Sequence, residues 1–407
     1  SCPVLFSWDG QRYVFVSDLL GVGGIGFAIG PGEYAPPRPW ENFLLPPASI
    51  QPRDGRYTLK ITEPMEEVAY LDAARLLAYD LPPGWHMVLD ERMGIGQPDP
   101  SGRTLFYQTL LQPATAHNDR GENVLAQIST ADRQAAPVGA TDARFIGLLQ
   151  QEHVLSLQFP QPLDQAAGRP LLLIDGWVEY PYSQTVFAAW QARRSYTAPT
   201  LEVRLADGSW QTLLQEFGYP AGMPRQLAVP LPDLPDGTRE LRLRTNMEVY
   251  WDRVAIAYAE TPPSMQRQDL SLQGARVEFI GFPLRSTGPQ RVPGYDYGRR
   301  KPYWDTRHAA GYYTQFGEAT ELLAGIDDAV AIIGPGEAVH LEFMAPDRTP
   351  PSGWSRRLVL ETNGWAKDMD MYTRDGTTVS PLPAKGAMTD NRDALHARYN
   401  TRYRSGY

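Results

Sequence analysis

Apolar and polar positions alternate along much of this chain, most clearly over residues 241–257. Leu241, Leu243 and Thr245 alternate with Arg242, Arg244 and Asn246, and then Val249, Trp251, Val254 and Ile256 take the apolar role. A period of two marks strands half-buried against a core. The spacing predicts two strands with a kink near Asn246 and Met247, with residues 170–178 and 200–205 as their sheet partners. The strand pattern returns at 4–8, 12–16, 57–62, 154–159, 274–282, 329–334, 338–344 and 354–362. Residues 68–80 are apolar at nearly every position. Their composition allows a helix, but Pro82 and Pro83 follow closely, and we read paired strands. Residues 318–325 read as a short helix ended by Gly325.

Turn chemistry agrees with strands. Asp-Gly pairs favour the left-handed backbone of tight hairpin turns, and they stand at Asp9-Gly10, Asp54-Gly55, Asp207-Gly208, Asp236-Gly237 and Asp375-Gly376. Asp175-Gly176 lies inside an apolar run, where a bulge competes with a turn. Gly21, Gly23 and Gly26 spell a G-x-G-x-x-G spacing after a strand. A dinucleotide site would need a helix next, and the proline-rich residues 27–39 exclude one. The expected fold is therefore all-β: two β-sandwich lobes, jelly-roll-like or galactose-binding-like, with long loops and few short helices. The first lobe spans 1–262, with an irregular insertion over about 85–145. Pro262-Pro263 marks the boundary, the second lobe spans 263–385, and the Arg/Tyr-rich residues 386–407 read as a tail, an arm beyond the core.

Composition narrows the function classes. The 407 residues are 42% hydrophobic with a net charge of −9, which fits a folded protein and excludes a general nucleic-acid binder. No apolar run reaches the ~18 residues of a membrane span. The chain opens directly on a strand, as a mature or trimmed product would. Cys2 is the single cysteine, so no internal disulfide, Cys-rich metal site or haem attachment is available. Lysine occurs only at Lys60, Lys301, Lys367 and Lys385.

Candidate chemistry is sparse. Asp368, Asp370 and Asp375 precede Gly376, and closely spaced carboxylates with a turn glycine are the raw material of a calcium loop, though the order does not match an EF-hand. Calcium is the one candidate cofactor; the competing reading is an acidic turn tied by Lys367 and Arg374. Trp251, Asp252, Tyr303, Trp304, Asp305, Trp365 and Tyr372 mix aromatic faces with carboxylates, which also suits carbohydrate binding, while core or sandwich-edge packing is the commoner role of aromatics beside strands. The six histidines show no ligand spacing. No G-x-S-x-G nucleophile elbow occurs. Tyr295-Asp-Tyr-Gly298 and Gly311-Tyr-Tyr313 bracket a long tyrosine-rich loop, the kind of segment that forms contact surfaces.

Six pieces in this order resemble a known module: residues 2–20 (CPVLFSWDGQRYVFVSDLL), 53–62 (RDGRYTLKIT), 218–222 (GYPAG), 242–252 (RLRTNMEVYWD), 311–317 (GYYTQFG) and 365–373 (WAKDMDMYT). The chain resembles the C-terminal β-rich module of bacterial secreted FG-GAP proteins of the cartilage-acidic-protein (ASPIC/UnbV) type and their TPR relatives. The resemblance implies an extracytoplasmic bacterial setting, secreted, periplasmic or at the cell surface, and a jelly-roll-like fold. It brings no catalytic residues, and the propeller repeats of the larger proteins, with their calcium sites, are absent here. The expected function is a non-catalytic recognition or assembly module acting through protein–protein or glycan contacts. A carbohydrate-binding or carbohydrate-active protein is the first alternative, and a structural subunit of a surface filament or large complex the second. A protein partner or self-assembly is expected, a surface glycan is a candidate ligand, and nucleic acid is not.

Overall fold

Strand makes up 48% of the chain and helix 9% in the computed structural model, which describes residues 3–94, 98–301, 307–384, 386 and 390–406. The chain is all-β. It divides into two units: unit 1 comprises Ser1–Leu81, Met265–Thr287 and Pro293–Tyr407, and unit 2 comprises Pro82–Ser264 and Gly288–Val292. The long segment of unit 2 ends at Ser264, beside Pro262-Pro263. The other end differs from the expected lobe, because residues 1–81 share their sheets with residues beyond 265, so the second unit is nested within the first.

Unit 1 is built on two antiparallel sheets. The first orders its six strands as Tyr13–Asp18, Val4–Trp8, Arg56–Glu63, Glu337–Met344, Leu272–Phe279 and Gly317–Glu318. The second runs Gln266–Leu270, Glu67–Leu81, Ser355–Asp368, Trp40–Leu45, with Ala331–Ile333 also paired to Glu67–Leu81. Alternation decides what lies between them. Leu5, Leu59, Ile61, Val339 and Leu341 of the first sheet join Leu71, Leu76, Leu358, Leu360 and Phe43 of the second in one core. The second sheet is covered on its other face too, where Val68, Tyr70 and Trp365 pack with Tyr313, Val330 and Ile332. This double burial explains why residues 68–80 show no polar alternation.

The glycine-rich stretch makes a single 3-10 turn, Gly21–Gly23, and then the short strand Ala28–Gly30. A Cβ on Gly23 would stand 2.5 Å from the Gly364 carbonyl, and Ile25 N–H donates to Ala366 O at 2.9 Å. The stretch is thus a loop pressed onto the second sheet, and its glycines serve close approach.

The C-terminal residues correct the expectation of an arm. Asp390–Tyr399 is an α-helix whose Leu395 and Tyr399 enter the unit 1 core, and Arg402–Arg404 pairs with Gly311–Tyr313. Arg392 is buried and donates to Asp328 O at 2.9 Å. The expected helix at 318–325 is a 3-10 turn, Thr320–Leu323. Part of the tyrosine-rich loop is a hairpin, Phe282–Thr287 with Pro293–Lys301.

Unit 2 is a sandwich of a four-stranded sheet (Leu110–Leu111, Val249–Ala259, Arg169–Val178, Arg225–Pro230) and a five-stranded sheet (Thr115–Asn118, Leu148–Gln158, Glu240–Met247, Thr200–Arg204, Trp210–Leu214). The kink expected near Met247 is where the chain passes from one sheet to the other. The two strands flanking it therefore belong to opposite sheets, and each takes its expected partner: Val249–Ala259 pairs with Arg169–Val178, and Glu240–Met247 with Thr200–Arg204. Leu172, Ile174, Val254 and Ile256 meet Leu155, Leu157, Leu241 and Leu243 between them. Asp175-Gly176 is a bulge: the register shifts there, and a Cβ on Gly176 would lie 2.4 Å from Tyr250 O. The region expected to be irregular belongs to this unit and carries the short strands His86–Leu89, Thr104–Tyr107, Leu110–Leu111 and Thr115–Asn118.

Candidate functional site

The residues singled out from sequence do not form one site. Trp251 and Asp252 lie in unit 2, and Trp365, Asp368, Asp370, Tyr372 and Asp375 in unit 1. Tyr303, Trp304 and Asp305 lie outside the described residues. Trp251 is 1% exposed and Trp365 3% exposed, both within hydrophobic clusters, so neither offers a ring face to a ligand. Asp252 is buried beneath the 132–134 segment and accepts the Arg133 N–H at 3.1 Å; burial raises its pKa.

The acidic stretch is built as a turn. Asp370 Oδ1 accepts the Tyr372 N–H at 2.7 Å and the Thr373 hydroxyl at 2.9 Å. Asp375 sits at φ 57 in the following turn. Lys367 Nζ donates to Val379 O at 3.1 Å, and burial lowers it to about 8 against the opposing charge of Asp375. Among the described residues no group of three or more His, Cys, Asp or Glu side chains is placed to hold a metal ion. A different acidic group forms nearby. Glu63 and Glu67 are fully buried, with Asp368 close to both, and burial raises Glu63 to about 8 and lifts Glu67 well above the usual carboxylate range.

A cleft lies on the outer face of the first sheet of unit 1. Strand register sets its floor. Phe15 stands opposite Phe6, Phe6 opposite Lys60, and Lys60 opposite His340. Their neighbours Leu5, Leu59 and Ile61 point the other way, into the core, so the period of two puts this row outside. The Phe282–Thr287/Pro293–Lys301 hairpin forms the wall. Tyr295 reaches Phe15 with ring centroids 5.1 Å apart, and Tyr297 meets Phe6 edge-on at 5.2 Å. The cleft holds about 540 Å³ and is also lined by Arg12, Tyr13, Thr62, Asp296 and Arg300.

Its polar groups have distinct states. Lys60 Nζ pairs with Glu278 at 3.2 Å and lies 4.8 Å from the centroid of the Tyr13 ring. Tyr13 Oη is 2.8 Å from His340 Nε2; burial, with the Lys60 charge, holds that imidazole below its ordinary pKa. Asp296 accepts Arg299 Nε–H at 2.9 Å and Gly298 N–H at 2.8 Å, and the arginine above all keeps its carboxyl ionised. At the closed end, Thr62 Oγ1 and Tyr297 Oη are both buried without a hydrogen-bond partner. Thr62 is near enough to favour the phenolate of Tyr297, a weaker influence than the burial that raises it, but their geometry falls short of a hydrogen bond. Both oxygens are closed off from solvent, so they belong to the packing beneath the cleft and not to its open lining.

Sequence reading reached only part of this site. It marked Tyr295-Asp-Tyr-Gly298 as a contact segment and Lys60 as one of few lysines. It missed Phe6, Phe15 and Thr62, since which face of a strand stays uncovered is a tertiary fact. The chain is an all-β protein with a cleft lined by aromatic and cationic side chains in its discontinuous unit. No family model and no curated protein matches the chain.

Proposed function

We propose that this chain is a non-catalytic recognition module that binds a glycan in the cleft between the first sheet of unit 1 and the Phe282–Thr287/Pro293–Lys301 hairpin. The observation that carries the reading is a ligand-sized cleft that pairs aromatic rings with polar and cationic side chains. Phe15, Tyr295 and Tyr297 supply ring surface, and Arg12, Lys60 and Arg300 supply hydrogen-bond donors. Sugars present an apolar ring face and a rim of hydroxyls, and this lining complements both. The volume of about 540 Å³ falls in the range of small-molecule sites.

Binding is favoured over turnover by the carboxylates. Glycoside hydrolysis needs two of them across the scissile bond, and Asp296 is the sole carboxylate of the lining, already held by Arg299. The resemblance to secreted bacterial modules supports an extracytoplasmic place of action as part of the proposal. The test is calorimetry of the full chain against neutral and acidic oligosaccharides, with a Phe15→Ala/Tyr295→Ala variant alongside. Saturable binding that the variant loses supports the reading. Absence of binding across the panel at millimolar concentrations, or hydrolysis of a bound saccharide, overturns it.

A further inference from the structure

We infer that the ligand of this cleft carries a carboxylate, so that unit 1 selects an acidic saccharide over a neutral one. The inference rests on the glycan reading and adds the charge of the ligand to it. Arg12, Lys60 and Arg300 line the cleft, against the single carboxylate of Asp296. Asp296 does not neutralise them, because it is engaged by Arg299, which lies outside the lining. Among the described residues no ion pair engages Arg12 or Arg300. Lys60 is half-buried and has Glu278 as its one close counter-charge.

The protein has a net charge of −9, so a concentration of cations in its ligand-sized cleft runs against the average of the molecule. A clustered positive field in a cleft with low-dielectric aromatic walls draws anions. Arginine suits a planar carboxylate through two parallel N–H donors. The division of labour follows from the lining: rings take the sugar face, and the cations take the carboxylate. One charge-assisted hydrogen bond of this kind is worth about ten- to a hundredfold in affinity.

The test compares three probes by calorimetry on the full chain at low ionic strength: trigalacturonate, its fully methyl-esterified neutral form, and benzoate. The expected result is trigalacturonate binding at least about tenfold tighter than the ester. That ratio should collapse in Arg300→Gln and in Lys60→Met. Arg300 is exposed, so its variant reports on the ligand even if Lys60→Met fails to fold. Equal affinity for acid and ester overturns this inference and leaves the glycan reading standing. Benzoate binding as tightly as trigalacturonate supports anion selection and overturns the glycan reading. No binding by any probe overturns both.

Discussion

Glu337 is fully buried, and the C-terminal strand exists to meet it. Arg402 Nη1 lies 2.8 Å from Oε1 and Arg402 Nη2 donates to Oε2 at 3.0 Å. Arg404 also pairs with Oε1, and the Gly334 N–H donates to Oε2 at 3.0 Å. Two guanidiniums thus compensate one carboxylate. Arg402→Met leaves Arg404 in place and Arg404→Met leaves Arg402, so each single change should cost about 1.5–3 kcal/mol, the worth of hydrogen bonds to a charged group. The double variant leaves a buried carboxylate with no cation. That stranded charge is a penalty neither single change incurs. The losses are therefore predicted to be more than additive. Adding Glu337→Gln to the double variant removes the stranded charge and should restore stability relative to the double variant. Urea unfolding at pH 7, analysed as a double-mutant cycle, measures these terms. The reasoning is refuted if the single losses sum to the double loss within about 0.5 kcal/mol, or if Glu337→Gln gives no rescue.

Two further predictions concern buried titrating groups. Glu63 is raised from 4.5 to about 8 by burial, so the folded state holds its proton where the unfolded chain has released it. Its contribution is intact below pH 4.5 and declines as pH rises through 8; Glu63→Gln should leave stability unchanged at pH 5 and raise it by up to about 4 kcal/mol at pH 8, read from thermal melts at both values. Equal effects at the two pH values would sink that account. Lys367 is lowered from 10.5 to about 8 by burial, so its unfolded form binds the proton more tightly and stability should climb between pH 8 and 10.5. Lys367→Met should abolish the climb, and it should cost little at pH 7, because Val379 O keeps the Tyr70 hydroxyl at 2.6 Å. Unfolding curves at pH 7 and 9.5 decide it, and a loss above about 2 kcal/mol at pH 7 would contradict the desolvation argument.

What the sequence disclosed follows the range of the interactions. Asp9-Gly10 announces its hairpin because turn and strands are adjacent, and Asp175-Gly176 declares a local irregularity that proves to be a bulge. The nesting of unit 2 is invisible locally, because Glu67–Leu81 finds Ser355–Asp368 nearly the whole chain away. The C-terminal helix reads as an arm because it is held by few apolar residues and by buried arginine. Leu395 and Tyr399 are its apolar anchors, and Arg392, Arg402 and Arg404 do the rest through hydrogen bonds and ion pairs. Trp251 and Trp365 looked like sugar platforms because a tryptophan in a strand carries no mark of the face it will take. Phe6 and Phe15 escaped notice for the same reason in reverse. Their strands are apolar on both sides, one side for the core and the other for the cleft.

The discontinuity of unit 1 has a consequence on the ribosome. Arg56–Glu63 can pair early with Val4–Trp8, but its other edge, and both edges of Glu67–Leu81, need partners that begin only at Gln266. Roughly 180 residues must be translated in between, which takes about 10–40 s at ~5–20 residues per second. Through that interval Leu59, Ile61, Leu71 and Leu76 wait in a nascent segment with open strand edges, while most of unit 2 already has the sequence it needs to fold. Residues 1–81 are therefore the stretch for which a holding chaperone, or slow capture by a neighbouring chain, would compete during synthesis.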